Sequence, residues 1–346
     1  MELPKIPFYK KYSLIFKAII AGGLLGLLYA AVTDAGSGYA YLKLLPGTMI
    51  GIFISLIVIT FERSLNFDKY SFIKTMIFKA LTYSFTILLF LLFFVIIFEE
   101  MLGQLSYQEA VIKYINDRLV EDFLFSLGAS IFLILFLEIS SLLSSRFFSN
   151  YFMGRYHHPI EEERIFMFVD VKSSTTLAEQ LGDILYSKLL QDLFNDFTDA
   201  ILATRAEVYQ YVGDEIILTW KTTTGLKEER CLYCFYLLKQ SIRNKEEYYL
   251  ENYNIVPKFK AGMHMGTAVT TWVGKVKKEI VYHGDLLNTT SRIQCKCNDF
   301  HHDFVVSEAI KEVFPKDLPI TYTYQDEILL RGKAKPMKLY TVDFNF

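Results

Sequence analysis

The sequence predicts a chain of two parts, an α-helical membrane domain with four spans followed by an α+β domain. The chain has 346 residues, of which 52% are hydrophobic, and this is more apolar than is usual for a soluble protein of that length. The apolar excess lies in long runs of Leu, Ile, Phe and Val within the first 150 residues. After Arg164, short apolar runs alternate with amphipathic helical stretches. We therefore expect a membrane domain over 1–145, a linker over 146–162 and a second folded domain over 163–346.

Four segments of the first domain are long and apolar enough to cross a bilayer, which takes about 20 residues per helix. Basic residues precede the first segment, lie between the second and third, and follow the fourth, whereas the loop between the third and fourth is acidic. Because cytosolic loops are rich in Lys and Arg, this pattern predicts a multi-pass protein of the inner or plasma membrane with both termini and the second domain in the cytosol. The predicted spans are Ser13–Thr33, Leu45–Phe61, Met76–Phe98 and Phe123–Leu143.

Two features inside the predicted spans go beyond anchoring. Gly22 and Gly26 are one helical turn apart, and small residues at that spacing allow the first helices of two copies to approach closely. Glu138 places a carboxylate in the fourth span, where it reaches interfacial water, pairs with a neighbouring helix or takes part in sensing.

The second domain is predicted to be a mixed sheet with helices on one face. Helices alternate with strands and with a hairpin at the tight turn Gly213-Asp214, a pattern typical of α+β folds. The predicted strands are Arg164–Val171, Val208–Val212, Ile216–Trp220, Lys258–His264, Thr267–Trp272, Glu279–His283, Ile320–Tyr324 and Leu339–Asp343, and the predicted helices are Leu185–Ala206, Leu226–Tyr249 and Asp285–Cys295.

Charge and cysteine content narrow the classes of function. The formal net charge of −2 offers no electrostatic footprint for nucleic acid. The pair Cys231 and Cys234 falls in a predicted amphipathic helix, and no second pair of ligands has the spacing of a zinc site. We expect the cysteines to be reduced and structural.

Two aspartates stand where a metal-bound polyphosphate would sit. Asp170 ends an apolar strand, and the polar residues after it, including Ser173 and Ser174, open a helix. A carboxylate there can hold Mg²⁺, while the amides of the helix N-terminus bind phosphate oxygens. Asp214 in the hairpin turn brings a second carboxylate to the same metals, although aspartate in a turn often serves the turn geometry alone.

A third element is the pair Asn288 and Arg292 on a predicted helix. A spacing of four residues places both on one face, so that an amide and a guanidinium converge on one charged group. Ordinary residues on a helix surface show the same spacing, so the pair gains its meaning from the other motifs.

Together these motifs resemble the class III adenylate and guanylate cyclase family over residues 160–346. The short stretch Met153–His157 is similar to the transducing element that joins such domains to membrane helices. The resemblance implies a ferredoxin-like sheet that works as a homodimer through its catalytic domains, and we expect the membrane helices to take part in that dimer. The five matching stretches, in order, are Phe168–Val171, Tyr211–Glu215, Gly262–Gly266, His283–Arg292 and Arg331–Lys333.

The resemblance also implies roles for the site residues. Two Mg²⁺ or Mn²⁺ ions would be held by Asp170, Asp214 and the backbone carbonyl of Val171, and would promote attack of the ribose 3′-hydroxyl on the α-phosphorus. Asn288 would orient the ribose and Arg292 would stabilise charge on the α-phosphate, both from the opposite protomer. The remaining phosphate contacts implied are Ser173, Ser174, Arg331 and Lys333.

The positions that read the base depart from both family signatures. By count from Asp214 and Asn288 they are Gln210 and Val281, where family members commonly have Lys with Asp or Thr, or Glu with Cys. A glutamine amide can donate to adenine or to guanine, but the absence of a guanine-accepting Glu favours ATP over GTP. The alternatives are a guanylate or dual-specificity cyclase, a degenerate nucleotide sensor, and, from another class, a transporter or channel regulated by the domain.

Overall fold

The computed structural model describes residues 19–28, 48–49, 51–52, 55–56, 60, 71–101, 106–142, 156–315, 318–329 and 336–345. Residues 11–152 belong to one compact unit and residues 153–346 to a second. Each unit is described by itself.

The described part of the first unit is helical. Among the residues described, one helical segment, Phe72–Phe93, is long and apolar enough to cross a membrane, and it overlaps the third predicted span. The other three predicted spans are not confirmed, since the first is described over ten residues and the second in short pieces, and the side chains of the fourth are described only in part. The four described helices are α1 (Ile19–Leu28), α2 (Phe72–Met101), α3 (Tyr107–Asp117) and α4 (Leu119–Leu142).

Close packing in the first unit uses small residues within one chain. A Cβ placed on Gly22 would lie 2.5 Å from the carbonyl oxygen of Gly51, and a Cβ on Gly51 would lie 3.2 Å from Cα of Gly26. Glycine is therefore needed for this close approach. Gly22 and Gly26 thus serve a close approach within the chain, and their predicted contact between two copies stays a prediction.

The second unit is built on one mixed sheet of eight strands. The strand order is β2-β3-β1-β4-β6-β8-β7, and β5 pairs with β4. All neighbours are antiparallel except β4 and β6. The strands are β1 (Ile160–Val171), β2 (Glu207–Val212), β3 (Glu215–Lys221), β4 (Phe259–Val273), β5 (Glu279–His283), β6 (Phe304–Ser307), β7 (Ile320–Ile328) and β8 (Met337–Phe344).

The first four strands have the predicted ferredoxin-like arrangement. Helices separate β1 from β2 and β3 from β4, and the spatial order β2-β3-β1-β4 is that of the β-α-β-β-α-β motif. The stretch Ile165–Val169 of the central strand β1 is a continuous apolar run, as expected where a strand is buried on both faces. Ile165 and Met167 enter the larger core, whereas Phe166 and Phe168 face the opposite side of the sheet.

Helices cover both faces of the sheet, which corrects the prediction of one. The helix Asp285–Asp299 packs on the second face, with Leu286 against Phe166 and Phe168, and Ile293 against Val305. The helices of the second unit are α5 (Ser174–Leu181), α6 (Asp183–Asp196), α7 (Thr198–Ala203), α8 (Thr222–Gly225), α9 (Arg230–Arg243), α10 (Glu246–Tyr253), α11 (Asp285–Asp299) and α12 (Glu308–Glu312).

Several predicted boundaries are wrong. The helix predicted over Leu226–Tyr249 is divided, because Glu228 and Glu229 have left-handed φ angles of 56° and 48° just before α9. The helix predicted over Leu185–Ala206 is interrupted at Phe197. The two strands predicted between Lys258 and Trp272 are the single strand β4, and β6 and α12 were not predicted.

Candidate active site

Three carboxylates meet where β1 ends and the β2–β3 hairpin turns. Asp170 of β1 lies directly opposite Glu215, the first residue of β3. Asp214 precedes Glu215 in a turn that Gly213 makes possible with a φ of 61°. Burial and the charge of Asp214 raise the pKa of Asp170. The structure therefore brings together the two aspartates that the sequence singled out.

Glu215 was not predicted as a member of the site. Its pKa is raised to about 7, mainly by burial and then by the charges of Asp170 and Asp214. Three acidic side chains thus share a partly buried place, and the charge of Lys260 offsets their repulsion only in part. Such a place favours a bound cation, because a cation relieves the mutual repulsion of the carboxylates.

The donor set fits a hard divalent ion. Within the part of the chain that the structure describes, no group of three or more His, Cys, Asp or Glu side chains is arranged to hold a metal ion. The two aspartates predicted as ligands, Asp170 and Asp214, would therefore need oxygen ligands from the backbone or from a substrate to complete a metal site. The Lys172 amide donates to the carbonyl of Lys258 on the β4 side. In an extended strand, the Val171 carbonyl of the same peptide therefore points to the opposite side, towards the hairpin turn. Carboxylates with a carbonyl are ligands that suit Mg²⁺ and Mn²⁺.

Two buried residues, Gln294 and Lys260, contact the carboxylate of Asp170. Nε2 of Gln294 donates to Oδ2 of Asp170 at 2.9 Å, and Nζ of Lys260 lies 3.3 Å from the same oxygen. The lysine also donates to Oδ1 of Asn298 at 3.1 Å. These residues were not predicted because they come from β4 and α11, far along the chain from Asp170. The one local signal was that Gln294 lies six residues after the predicted Asn288, on the same helix.

The predicted phosphate-binding serines open α5 directly after β1. Ser173 is exposed and has a left-handed φ of 55°, and its side chain makes no capping hydrogen bond. Ser174, the first residue of the helix, is half-buried. The first amides of α5 therefore lie four residues from Asp170, where a phosphate would meet the positive end of the helix.

Asn288 and Arg292 do not join the carboxylates of their own chain. Both are exposed, whereas Gln294 on the same helix is buried and touches Asp170. At about 100° per residue, Arg292 points about 200° away from Gln294 around the axis of α11. The structure thus confirms that the pair shares a helix face, and it turns that face away from Asp170.

The predicted base-reading residues, Gln210 and Val281, lie on β2 and β5, and the aromatic residues next to them in sequence pack against each other. Gln210 follows a bulge in β2 and is exposed, while Val281 in β5 is half-buried. The adjacent residues Tyr209 and Tyr282 pack edge to face, with ring centroids 5.1 Å apart. The two phosphate-binding residues predicted near the C-terminus, Arg331 and Lys333, lie outside the described residues.

Comparisons with known proteins point to one family. A family model described as the adenylate and guanylate cyclase catalytic domain matches residues 157–343, which is more than half of the chain. The chain is 29% identical to Adenylate cyclase 2 of Rhizobium meliloti (strain 1021) over 290 residues, which cover 81% of this chain and 79% of that protein. This overlap is longer than the family match, so it extends into the N-terminal half. Adenylate cyclase 1 of the same organism is 24% identical over 147 residues, covering 42% of this chain and 22% of that protein.

Among solved structures, a bacterial light-regulated adenylyl cyclase superposes with a TM-score of 0.55 at 17% identity. The match covers 66% of each chain. At this level of identity the superposition supports the fold.

Proposed function

The chain belongs to the adenylate and guanylate cyclase catalytic domain family and is a nucleotide cyclase, and from this premise we propose that it is a membrane-bound adenylate cyclase that works as a homodimer. In the proposed reaction, O3′ of ATP attacks the α-phosphorus, the bond to the β-phosphate oxygen breaks, and cyclic AMP, pyrophosphate and a proton are released. The observation that carries the proposal is the convergence of Asp170 and Asp214 at the end of β1.

Two divalent ions, when bound, supply the Lewis acidity that activates the 3′-hydroxyl and neutralises the departing pyrophosphate. The chain itself binds and orients the substrate. Asp170, Asp214 and the Val171 carbonyl hold the ions, and the first amides of α5 bind phosphate oxygens of the triphosphate.

Asn288 and Arg292 act on the substrate from the second copy. Their exposed face of α11 is directed away from the chain's own Asp170, so a partner subunit has to supply them. Asn288 orients the ribose, and the Arg292 guanidinium stabilises the charge that grows on the α-phosphate, for about 3 kcal/mol of transition-state stabilisation. Each dimer then has two sites, and an isolated chain has none.

Complementation tests this arrangement. Asp170→Ala and Arg292→Ala damage different halves of each composite site, so each variant alone is inactive. Mixed before dimers form, the two restore about one quarter of wild-type activity, because half of the dimers are mixed and each mixed dimer holds one intact site. Inactivity of the mixture, with both variants folded and shown to associate, would refute the trans arrangement.

Adenine is the base that the proposal favours. Gln210 offers an amide donor and acceptor, Val281 offers only packing, and no carboxylate stands at either position to accept hydrogen bonds from guanine. The test is mass spectrometry of the products formed by the purified chain from ATP and from GTP separately. Cyclic AMP as the main product supports the proposal, and cyclic GMP as the main product refutes it.

Membrane attachment is supported by the apolar segment Phe72–Phe93, which is long enough to cross a bilayer. We expect the bilayer to hold the protein with its catalytic domain in the cytosol. The protein should then stay with the membrane fraction after an alkaline carbonate wash, and its release by that wash would contradict the proposal.

A further inference from the structure

Gln294 joins α11 to the proposed metal ligand Asp170. Only 4% of its surface is exposed, and its amide donates to Oδ2 of the aspartate at 2.9 Å. A hydrogen bond to a charged group is stronger than one between neutral groups, and a buried donor without a partner is costly. This contact therefore fixes the orientation of the Asp170 carboxylate relative to the helix.

Lys260 contacts the same oxygen, Oδ2 of Asp170. Lys260 of β4 is 8% exposed, and its ammonium lies 3.3 Å from Oδ2 of Asp170 and 3.1 Å from Oδ1 of Asn298. Asn298 follows Gln294 by one turn of α11. The four side chains form a chain of contacts, Gln294 to Asp170 to Lys260 to Asn298, that begins and ends on α11, and among the described residues no hydrogen bond is made to Oδ1 of Asp170.

The backbone is shaped to allow this contact. A Cβ on Gly262, in β4, would lie 2.3 Å from the backbone nitrogen of Gln294 and 2.5 Å from its Cα. Only a residue without a side chain lets α11 approach the sheet so closely at this point. The approach is centred on Gln294 itself, which places its amide within reach of Asp170.

We propose that Gln294 is a positioning residue that, with Lys260, fixes Oδ2 of Asp170 and so leaves Oδ1 directed at the divalent cation; this inference rests on the proposed function. The hydrogen bond acts on the geometry of the metal ligand and makes no contact with the substrate. The same helix carries Asn288 and Arg292 on its opposite face. A movement of α11 would therefore displace the metal aspartate of one site together with the ribose and phosphate contacts of the other.

The test measures metal binding without turnover. The full-length chain, purified in detergent, is titrated with Mn²⁺ alone and followed by electron paramagnetic resonance. Gln294→Met keeps the side-chain volume and removes the donor, and we expect it to weaken Mn²⁺ binding about tenfold, the usual lower bound when a partner of a metal ligand is lost. The matched control is Thr290→Val, because Thr290 is as deeply buried in α11 but donates to Leu286 of its own helix. The control should bind Mn²⁺ like the wild type.

A second variant keeps the proposal testable if Gln294→Met does not fold. Gln294→Leu is slightly smaller, so it should not overfill the site, and it cannot donate to Asp170, so Mn²⁺ binding should again weaken. Wild-type or tighter binding by either folded variant would overturn the positioning role. A wild-type chain that makes neither cyclic nucleotide would instead overturn the proposed function, and the two failures are thereby distinguishable.

Discussion

Gly262→Ala should push α11 away from the sheet at Gln294, the residue that contacts Asp170. The new Cβ would lie 2.3 Å, 2.5 Å and 2.7 Å from the nitrogen, Cα and Cβ of Gln294. Carbon atoms in contact lie about 3.5–4.0 Å apart, so the helix has to move by about 1 Å or more. The 2.9 Å hydrogen bond from Gln294 to Asp170 would then exceed hydrogen-bonding distance.

The expected loss of stability combines these two effects. Overpacking of this kind costs about 1–3 kcal/mol, and a lost hydrogen bond to a charged group costs about 1.5–3 kcal/mol. Because the same movement relieves the first and causes the second, we expect about 3 kcal/mol in total rather than the full sum. For a domain of this size, that loss lowers the melting temperature by about 6–12 °C.

Tryptophan fluorescence can report this change selectively. The chain has two tryptophans, Trp220 and Trp272, and both belong to the second unit. Trp220 is fully buried and donates to the carbonyl of Thr204 at 3.0 Å, so its emission follows unfolding of that unit. The measurement is thermal unfolding of the full-length chain in detergent, without added metal.

Gly266→Ala provides the control in the same strand. Its Cβ would lie 3.4 Å from Cδ1 of Leu286, which is an ordinary contact, so its cost should stay below about 1 kcal/mol. Equal melting temperatures for the two variants would refute the view that close packing at Gly262 positions α11. Retention of wild-type Mn²⁺ affinity by a destabilised Gly262→Ala would refute only the link to the metal site.

Three further predictions concern other parts of the second unit. Because the pKa of Glu215 is raised to about 7, the unfolded chain loses that proton at lower pH than the native one, and the free energy of unfolding of the metal-free protein should fall by about 1–2 kcal/mol between pH 4.5 and pH 7. Urea unfolding at several pH values should show a smaller fall for Glu215→Gln, and an equal dependence on pH in both proteins would contradict the assignment. Arg164 is buried and paired with Glu162 and Glu207, so Arg164→Met should cost about 3–5 kcal/mol, and a loss below 1 kcal/mol in urea unfolding would show that the ion pairs contribute little. Burial raises the pKa of Cys234 to about 12 and also raises the pKa values of Cys231 and Cys297, whereas Cys295 is exposed. A thiol reagent should therefore modify one cysteine per native chain, and rapid modification of several would indicate a more open domain.

Local patterns in the sequence were sufficient for most of the strands, although not for β6, and for half of the site. The apolar run that ends at Asp170 and the turn at Gly213-Asp214 lie on neighbouring strands, so their carboxylates meet as predicted. The spacing of Asn288 and Arg292 likewise gave a shared helix face. These features depend on residues close in sequence and on the period of a strand or helix, which a single chain displays directly.

Only the tertiary structure decided what holds those residues. The partners of Asp170 come from β4 and α11, about 90 and 124 residues along the chain, and no local pattern relates them to it. No local pattern showed either that Gly22 and Gly26 of α1 pack against Gly51 of the same chain, or that α11 covers the second face of the sheet. The sequence determined an apolar segment long enough to span a membrane and two aspartates that meet, whereas long-range packing, made possible by a missing Cβ at Gly262, determined how one of those aspartates is oriented.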